Sequence, residues 1–409
     1  MKFTKLSLVA ALAVSAAVAG GDIAPVEPAA KAPATECNGC GKITGKASLW
    51  YLTNDRGASV DLFDKNGAQG DAALRLDYTR NLFDGAVTFN AGIQMVSTLG
   101  LENELVMGTF VGHGPQPVQD AVWVDIFNAQ FKVGNTAIIA GRQAIDTPFF
   151  YTETWNIAQN TFDAIVVANS DLPDTTLVGA WVGRGNGNAN LTVMANNTDL
   201  NGGMTKFYGN PAYAFGAVTK LIPNTVAQAW YYYIPSVADA YWLQADVNVD
   251  GILFGAQYAG TSTSIGLADT DAWAVKLGYD AGSWNAWGAY SQRSDDNGLD
   301  ISNIATNGGG TGGGQSKLYT EAYWAYGNVG ARDAETFALG GSYDFGMATV
   351  NAQYTDMTSD RVADMNEFYV GTSFDLGPVD ATLAYTSTAY NDGDRFNTLI
   401  VMLDMPFEL

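Results

Sequence analysis

Little in this sequence of 409 residues is suited to bond-making chemistry. Its one histidine, His113, lies in the short run Gly-His-Gly-Pro. General-base catalysis needs a base within hydrogen-bond reach of a nucleophile, with a third group that orients the base. Nothing in the sequence pattern around His113 indicates such an arrangement. We therefore expect a histidine in a surface loop or a subunit contact, and no enzyme.

The two cysteines, Cys37 and Cys40, form a Cys-Asn-Gly-Cys motif that could carry redox or metal chemistry. A c-type haem site would need histidine directly after Cys40, where Gly41 stands. A zinc site would need further Cys or His ligands at suitable spacing, and the sequence has none. A small local disulfide in an oxidising compartment is the expected state, and free thiols or a redox-active pair remain alternatives. No cofactor is expected.

The remaining chemistry is that of charge, and the charged residues recur on one side of alternating segments. In one such segment three apolar residues alternate with polar partners: Leu74, Leu76 and Tyr78 against Arg75, Asp77 and Thr79. The stretch 399–409 at the end of the sequence repeats the pattern. Alternation over about 9 to 11 residues between turn residues is typical of transmembrane β-barrel strands. The elements that position the charges are therefore predicted to be barrel strands.

Composition supports a barrel. Charged residues make up 15% of the chain, which also contains 46 glycines and 12% aromatic residues, whereas an ordinary soluble domain has roughly 25% charged residues. After the first 19 residues no apolar run approaches the roughly 20 residues of a membrane helix. The net charge of −22 disfavours nucleic acid as a partner and favours cations at the surface.

Three regions are expected along the chain. Residues 1–19 have a basic start, an apolar stretch and small residues at the end, which together predict a secretory signal peptide. Residues 20–42 form a Pro/Ala-rich periplasmic linker that contains the cysteine pair. Residues 43–409 form the all-β barrel, with about eighteen antiparallel strands. Sixteen is the alternative, because the segments near Leu177 and Tyr319 are weakly patterned.

The predicted connections alternate between short turns such as Asp84-Gly85 and Asp250-Gly251 and long segments. The long segments are roughly 98–121, 144–160, 185–212 and 293–333. Outer-membrane barrels have short periplasmic turns and long external loops. A barrel of this size has a lumen wide enough for water, and the proline-rich linker is too short to fill it. Any constriction must therefore come from an external loop.

The segment 134–149, GNTAIIAGRQAIDTPF, resembles a strand and the following loop of OprD-type porins. These are Gram-negative outer-membrane proteins that include the major porins of the Campylobacter group. The resemblance extends to Asn160-Thr-Phe-Asp-Ala164 and to the strand layout of almost the whole mature chain. It implies an outer-membrane channel, made as a homotrimer, in contact with lipid and lipopolysaccharide.

The resemblance also implies that the third external loop, 144–160, folds into the lumen as an eyelet that basic wall residues face. Asp146 and Glu153 are the acidic candidates in this loop. Alternation along the strands predicts that four basic residues face the water of the lumen: Arg75, Lys132, Arg142 and Lys276. Opposed charges across a narrow lumen orient dipolar solutes and set ion preference. The alternative is that each base is simply a solvated lumen residue paired with a nearby carboxylate.

Other motifs fit loops and interfaces better than sites. The glycine-rich run 306–315 lacks the Gly-Lys-Ser/Thr ending of a phosphate loop. Two acidic loops could hold calcium, although solvated charge is the simpler expectation: Asp295, Asp296 and Asp300, and Asp356, Asp360 and Asp364. Several aromatic residues lie near predicted strand ends, and the outward-facing ones among them are expected to form an interfacial girdle. Trp230, Trp242 and Trp287 are predicted to face the lumen, where a sugar-stacking role is a minor hypothesis.

The sequence thus favours an outer-membrane porin for small hydrophilic solutes and ions, with a weak cation preference. One alternative is a channel that prefers small carboxylates, because basic residues are predicted on the wall. The other is a surface adhesin or envelope-structural barrel whose loops close the lumen.

Overall fold

The computed structural model describes residues 41–57, 60–101, 104–106, 120–187, 202–306, 314–391 and 393–409. These residues form eighteen β-strands in one closed sheet, and the predicted number of strands is confirmed. The strands are β1 Lys42–Asn54, β2 Ala68–Leu82, β3 Val87–Ser97, β4 Ala121–Val133, β5 Thr136–Gln143, β6 Phe162–Asn169, β7 Thr175–Gly185, β8 Ala212–Thr219, β9 Thr225–Ile234, β10 Ala238–Val249, β11 Ile252–Thr263, β12 Thr270–Asp280, β13 Trp284–Arg293, β14 Glu335–Asp344, β15 Ala348–Thr358, β16 Met365–Asp375, β17 Asp380–Tyr390 and β18 Phe396–Glu408.

Each strand pairs antiparallel with its neighbours in the sequence, and β18 closes the barrel by pairing with β1. The closing register sets Thr44 opposite Glu408 and Asn54 opposite Thr398. Closure satisfies the backbone groups of both terminal strands, so the barrel wall has no free edge. Within the described residues, none of the helices is long and apolar enough to span a membrane.

The outer face of the barrel is apolar, because side chains alternate between the two faces of a strand. Large apolar residues stand exposed on this face around the whole wall: Leu49, Phe127, Ile165, Phe215, Leu243, Phe254, Leu277, Leu339, Phe368 and Leu383. The inner positions between them are mostly polar on β1–β4 and β10–β18, where glutamines, aspartates and asparagines recur. The wall is therefore apolar outside and largely polar inside.

The two ends of the barrel differ as expected. Within the described chain, the connections at one end are short turns. They use left-handed backbone, as at Asp250 (φ 51°) and Gly251 (φ 87°) between β10 and β11, which matches the twist of a two-residue hairpin. The opposite end carries the long connections, including 144–161 and 294–334. Outer-membrane barrels have the same asymmetry between short periplasmic turns and long external loops.

The packed core of the molecule lies inside the barrel. Residues 144–161, here called the first lumen loop, and residues 294–334, the second lumen loop, fold inwards and bury side chains against the inner wall. Tyr319, predicted to lie near a weak strand, belongs to the second lumen loop instead. The strands provide a rigid wall, and these two loops set the shape of the passage through it.

Candidate pore constriction

The first lumen loop is a folded hairpin. The N–H of Thr152 donates to the carbonyl of Ile145 at 2.7 Å, and the N–H of Thr147 donates to that of Phe150 at 2.9 Å. The Phe149 ring packs edge-on against the Tyr232 and Trp242 rings, at 5.4 and 5.7 Å between centroids. Edge-to-face pairs of this kind stabilise by about 0.5–1.5 kcal/mol each. The aromatic tip therefore fixes the loop on the inner faces of β9 and β10.

The second lumen loop is fixed by polar groups of the wall. Gln257 on β11 accepts the N–H of Tyr319 at 3.1 Å and donates to the carbonyl of Lys317 at 2.9 Å. On β16, the Glu367 carboxylate accepts the backbone N–H groups of residues 323, 324 and 325 at 2.8–2.9 Å. Hydrogen bonds to a charged acceptor are worth about 1.5–3 kcal/mol. Two distant strands thus hold one loop across the lumen.

The two lumen loops contact each other directly. Asn303 donates to the Tyr151 carbonyl at 2.8 Å and to Glu153 Oε1 at 2.9 Å, and its Oδ1 accepts the N–H of Tyr151. The Tyr151 hydroxyl donates to the Gln315 carbonyl at 2.5 Å. The Trp155 and Tyr326 rings lie 5.1 Å apart. Because these contacts bury polar and aromatic groups together, the loops form a single constriction.

Two basic groups at the constriction, Arg75 and Lys317, have acidic partners. On the wall, Arg75 Nε lies 2.9 Å from Asp77 Oδ2 and 3.3 Å from Asp125 Oδ2. Arg75 also donates to Gln159 Oε1 of the first lumen loop at 2.9 Å. Lys317 of the second lumen loop forms an ion pair with Asp146 of the first. These pairs cancel the positive charge that a solute in the passage would meet.

Two carboxyl groups inside the loop assembly are shifted towards the protonated state. Burial raises the pKa of Glu153, although hydrogen bonds from Thr306, Trp155 and Asn303 oppose the shift. Burial likewise raises the pKa of Glu321 to about 7, against N–H groups that include those of Ser316 and Gly327. Since the charged form is disfavoured without water, both acids act as interior hydrogen-bonding groups of the loops.

Among the predicted site residues, Arg75 and Asp146 lie on the inner side and contact a lumen loop. Arg75 reaches the first lumen loop through Gln159, as described above. Asp146 belongs to that loop, and its carboxylate faces Lys317, which sequence analysis did not single out. Lys317 is 171 residues away from Asp146 in the sequence. Nothing local in the sequence indicated that this residue lies at the constriction.

The predicted inward direction of Arg142 is wrong. Arg142 lies opposite Phe127 on β4, and Phe127 is an exposed residue of the outer face. The Arg142 guanidinium forms an ion pair with Asp163 at 2.9 Å and donates to the Val124 carbonyl at 2.7 Å. Arg184 forms a second ion pair with the Asp163 carboxylate. The error has a physical cause: both faces of β5 are apolar, so alternation cannot distinguish them.

The other three candidates do not face the passage at the constriction. Glu153 is 4% exposed and lies within the loop assembly rather than on the passage. Alternation along β4 places Lys132 on the inner face, but its side chain is exposed next to the short turn between β4 and β5. Lys276 faces inwards and is 8% exposed, with Nζ 4.7 Å from the centroid of the Tyr319 ring. The second lumen loop covers it.

The structure places Trp230, Trp242 and Trp287 on the inner face. Trp230 and Trp242 are almost fully buried in the aromatic cluster that holds the first lumen loop. This is a packing role, so a sugar-stacking platform has no support from these two rings. They lack the free ring faces that a passing sugar would need.

The acidic loops show ion pairs instead of a metal centre. Asp295 pairs with Arg361 at 2.6 Å and with Arg332 at 3.3 Å, which ties two neighbouring loops together. Within the described parts of the chain, no group of three or more His, Cys, Asp or Glu side chains could hold a metal ion. Cys37, Cys40, His113 and most of the glycine-rich run lie outside the described residues.

Comparison with known proteins identifies the class of fold. No protein-family model matches the sequence, and no curated protein matches it. Solved structures do match. The crystal structure of Pseudomonas aeruginosa OccK8 (OprE) has a TM-score of 0.71 at 15% identity, covering 90% of this chain and 98% of OccK8. The outer membrane protein OpdK of the same organism has a TM-score of 0.70 at 13% identity, with 90% and 99% covered.

A further structure of OpdK, determined with vanillate, has a TM-score of 0.71 at 13% identity and the same coverage. At such low identity these likenesses show the fold alone. The fold is a closed eighteen-strand antiparallel β-barrel that matches the structures of outer-membrane porins.

Proposed function

We propose that this protein is an outer-membrane porin through which small hydrophilic solutes and ions diffuse passively. The observation that carries the proposal is the closed barrel whose lumen is narrowed, at one level, by the two lumen loops with paired charges between them. A barrel of eighteen strands is wide enough to contain water. The loops then limit the size and charge of what passes.

The apolar outer face supports placement of the barrel in a membrane. A surface with Leu243, Phe254 and Leu339 exposed around the wall needs hydrocarbon around it. The proposed setting is the outer membrane of a Gram-negative bacterium, reached after removal of the signal peptide, with lipid and lipopolysaccharide as partners. Assembly as a homotrimer belongs to the same proposal. So does a closer relation to campylobacterial porins, which rests on the motifs at 134–149 and 160–164.

A weak cation preference fits the charges of the wall. Arg75 is flanked by two carboxylates, Asp77 and Asp125, so this cluster carries a net negative charge. Lys46 faces Asp404 at 3.3 Å, and Lys317 faces Asp146. The whole chain has 42 acidic and 20 basic residues, counting only Lys and Arg as basic. Where carboxylates outnumber bases, as around Arg75, the wall attracts cations more than anions.

A channel that prefers carboxylates is the second candidate, because one of the similar structures is OpdK with vanillate, an aromatic carboxylate. Unpaired basic groups facing the passage would favour it in this chain. The pairing of Arg75, Lys46 and Lys317 with carboxylates weakens it. The two candidates differ in the sign of their ion selectivity, so one measurement separates them.

The test is single-channel recording of the purified, folded protein in a planar bilayer, first in symmetric and then in asymmetric KCl. Stepwise ohmic openings with a reversal potential on the potassium side are expected. A reversal potential on the chloride side would overturn the cation preference and favour the carboxylate channel. A folded barrel that never conducts would contradict the porin proposal and support the adhesin or structural alternative.

A further inference from the structure

One sector of the lumen wall differs from the rest. The inner positions of β5 to β8 are occupied almost entirely by small and branched apolar residues: Ala137, Ile139, Ala164, Val166, Ala168, Val178, Ala180, Ala214 and Val218. The inner positions of most other strands carry charged and amide side chains. The inner positions of a wall that faces only water are polar in transmembrane barrels, so apolar residues on four consecutive strands are unusual there. This sector is therefore built to contact something apolar.

The apolar sector forms a recess beneath the first lumen loop. The recess is concave and opens to the lumen. Ile139, Val166 and Val178 form its wall, and Ile145 of the loop forms its roof. The first lumen loop packs against the neighbouring part of the sector in a buried cluster that also includes Ala168 and Val178, and the recess lies at the edge of that contact. A solute that passes the constriction meets the recess next.

The rim of the recess carries both signs of charge. Asp146 lines it, and the ammonium of Lys317 pairs with that carboxylate. Both side chains are only about a quarter exposed. Gln143, also at the rim, is fixed by hydrogen bonds from its Nε2 to the carbonyls of Gly141 and Ala164 at 3.2 and 3.1 Å. The recess thus combines an apolar interior with an adjacent cation–anion pair.

We propose that this recess is a binding site for zwitterionic α-amino acids with apolar side chains. The apolar side chain enters the recess, the ammonium group faces Asp146, and the carboxylate faces Lys317. When a zwitterion binds, the ion pair between Asp146 and Lys317 is replaced by two ion pairs, one from each of these residues to the solute. Neither protein charge is then left without a partner. The inference deepens the proposed porin function and rests on it.

The same geometry disfavours related solutes. Glycine has both charges but no apolar side chain, so it gains no binding free energy from burial in the recess. Phenylpropionate and phenethylamine each offer the apolar body with a single charge, which leaves Asp146 or Lys317 without its partner. Leaving one member of a partly buried pair unmatched is costly. Selection therefore requires both features in the same molecule.

The experiment is solute-induced block of single-channel current in the full-length protein, with L-phenylalanine as the probe. Glycine, phenylpropionate and phenethylamine serve as comparisons. L-phenylalanine is expected to block with an apparent dissociation constant about tenfold lower than that of glycine, the preference that burial of one aromatic side chain can give. Ala168→Phe, which fills the recess, should abolish this difference. Ala180→Leu is a milder filling variant.

Ala229→Phe is the matched control, because Ala229 is an exposed residue on the outer face of β9. It should keep the wild-type block. The double variant Asp146→Asn with Lys317→Gln keeps the net charge and should lose the preference for the zwitterion over phenethylamine. Equal block by glycine and L-phenylalanine, or block that survives both filling variants, would overturn the inference while ion conduction continues. Absence of conduction would instead contradict the porin function itself.

Discussion

At the scale of single residues, the structure shows charges whose effect depends on their partners more than on their sign. Arg75 is a basic residue on the lumen wall, yet the two carboxylates beside it make the local charge negative. Arg142 is a basic residue on the opposite face, where Asp163 and a backbone carbonyl satisfy it. Neither residue presents a free positive charge to the passage.

Replacement of Arg75 by Gln is expected to increase the selectivity for potassium over chloride. The substitution removes one positive charge from the lumen wall and leaves Asp77, which is 30% exposed, without its cation. The reversal potential in a KCl gradient measures the change. Arg80→Gln is the control, because Arg80 is an exposed residue of the outer face on the same strand. A shift towards chloride in Arg75→Gln would contradict the assignment.

A second residue-scale prediction concerns pH. Burial raises the pKa of Glu321 from its ordinary value of 4.5 to about 7. A carboxyl group with a raised pKa binds its proton more tightly in the folded protein, so its contribution favours folding at low pH. This contribution is lost as the pH rises from about 4.5 to 7. We expect the lumen loops to be more stable at pH 5.5 than at pH 8.

Thermal unfolding of the folded protein in detergent at both pH values tests this. Glu321→Gln should reduce the difference in Tm between the two conditions, because the variant side chain does not titrate. Burial raises the pKa of Asp300 to about 6, so this group contributes in the same direction. Part of the difference in Tm should therefore remain in Glu321→Gln. Glu335→Gln is the control at an exposed position. An unchanged pH dependence in Glu321→Gln would show that this group does not cause it.

At the scale of elements, the constriction depends on the contact between two loops that come from different parts of the chain. Asn303 makes the central contact, since it bonds both Tyr151 and Glu153 of the first lumen loop. Neither loop alone buries these polar groups. The width of the passage is therefore a property of the pair.

Asn303→Ala is expected to loosen the pair and to increase open-channel current noise. The variant removes the side-chain acceptor of the Tyr151 N–H, and it removes one donor each from the Tyr151 carbonyl and from Glu153 Oε1. Loss of a partner inside the loop assembly costs about 1–3 kcal/mol. Recordings of current fluctuations, together with limited proteolysis of the loops, measure the effect. Asn297→Ala changes an exposed asparagine in the same loop and should leave both unchanged. If open-channel current noise in Asn303→Ala equals that of the wild-type protein, the two loops do not form a joint constriction.

The elements also explain what the sequence could and could not predict. Strands such as β10, where Leu243 and Val247 alternate with Gln244 and Asp246, were predictable because one face meets apolar surroundings and the other meets water. The inner and outer faces of β5 could not be distinguished from the sequence, because the residues at both sets of positions are mostly apolar. The inward fold of residues 294–334 depends on contacts such as Lys317 with Asp146, which no local periodicity encodes.

At the scale of the whole molecule, the barrel wall is apolar on its outer face and largely polar on its inner face, except along the sector of β5 to β8. Leu243→Arg is expected to destabilise the barrel in lipid by about 2–4 kcal/mol if it lies near the bilayer midplane. Leu243 is 49% exposed on the outer face. Gln244→Arg, one residue away on the inner face, should cost much less. Urea titration of the folded protein in liposomes compares the two, and equal costs would contradict the assigned faces.

The pairing of β1 with β18 has a consequence for how the molecule is made. Lys46 and Asp404, which meet across this seam, are 358 residues apart in the sequence. Strands of such distant origin meet late, because the entropy of closing so long a loop must be overcome first. Until then the growing sheet has two open edges that can pair with any other strand. During biogenesis the chain must therefore be shielded from its neighbours until β18 has arrived, and the seam is the final step of assembly.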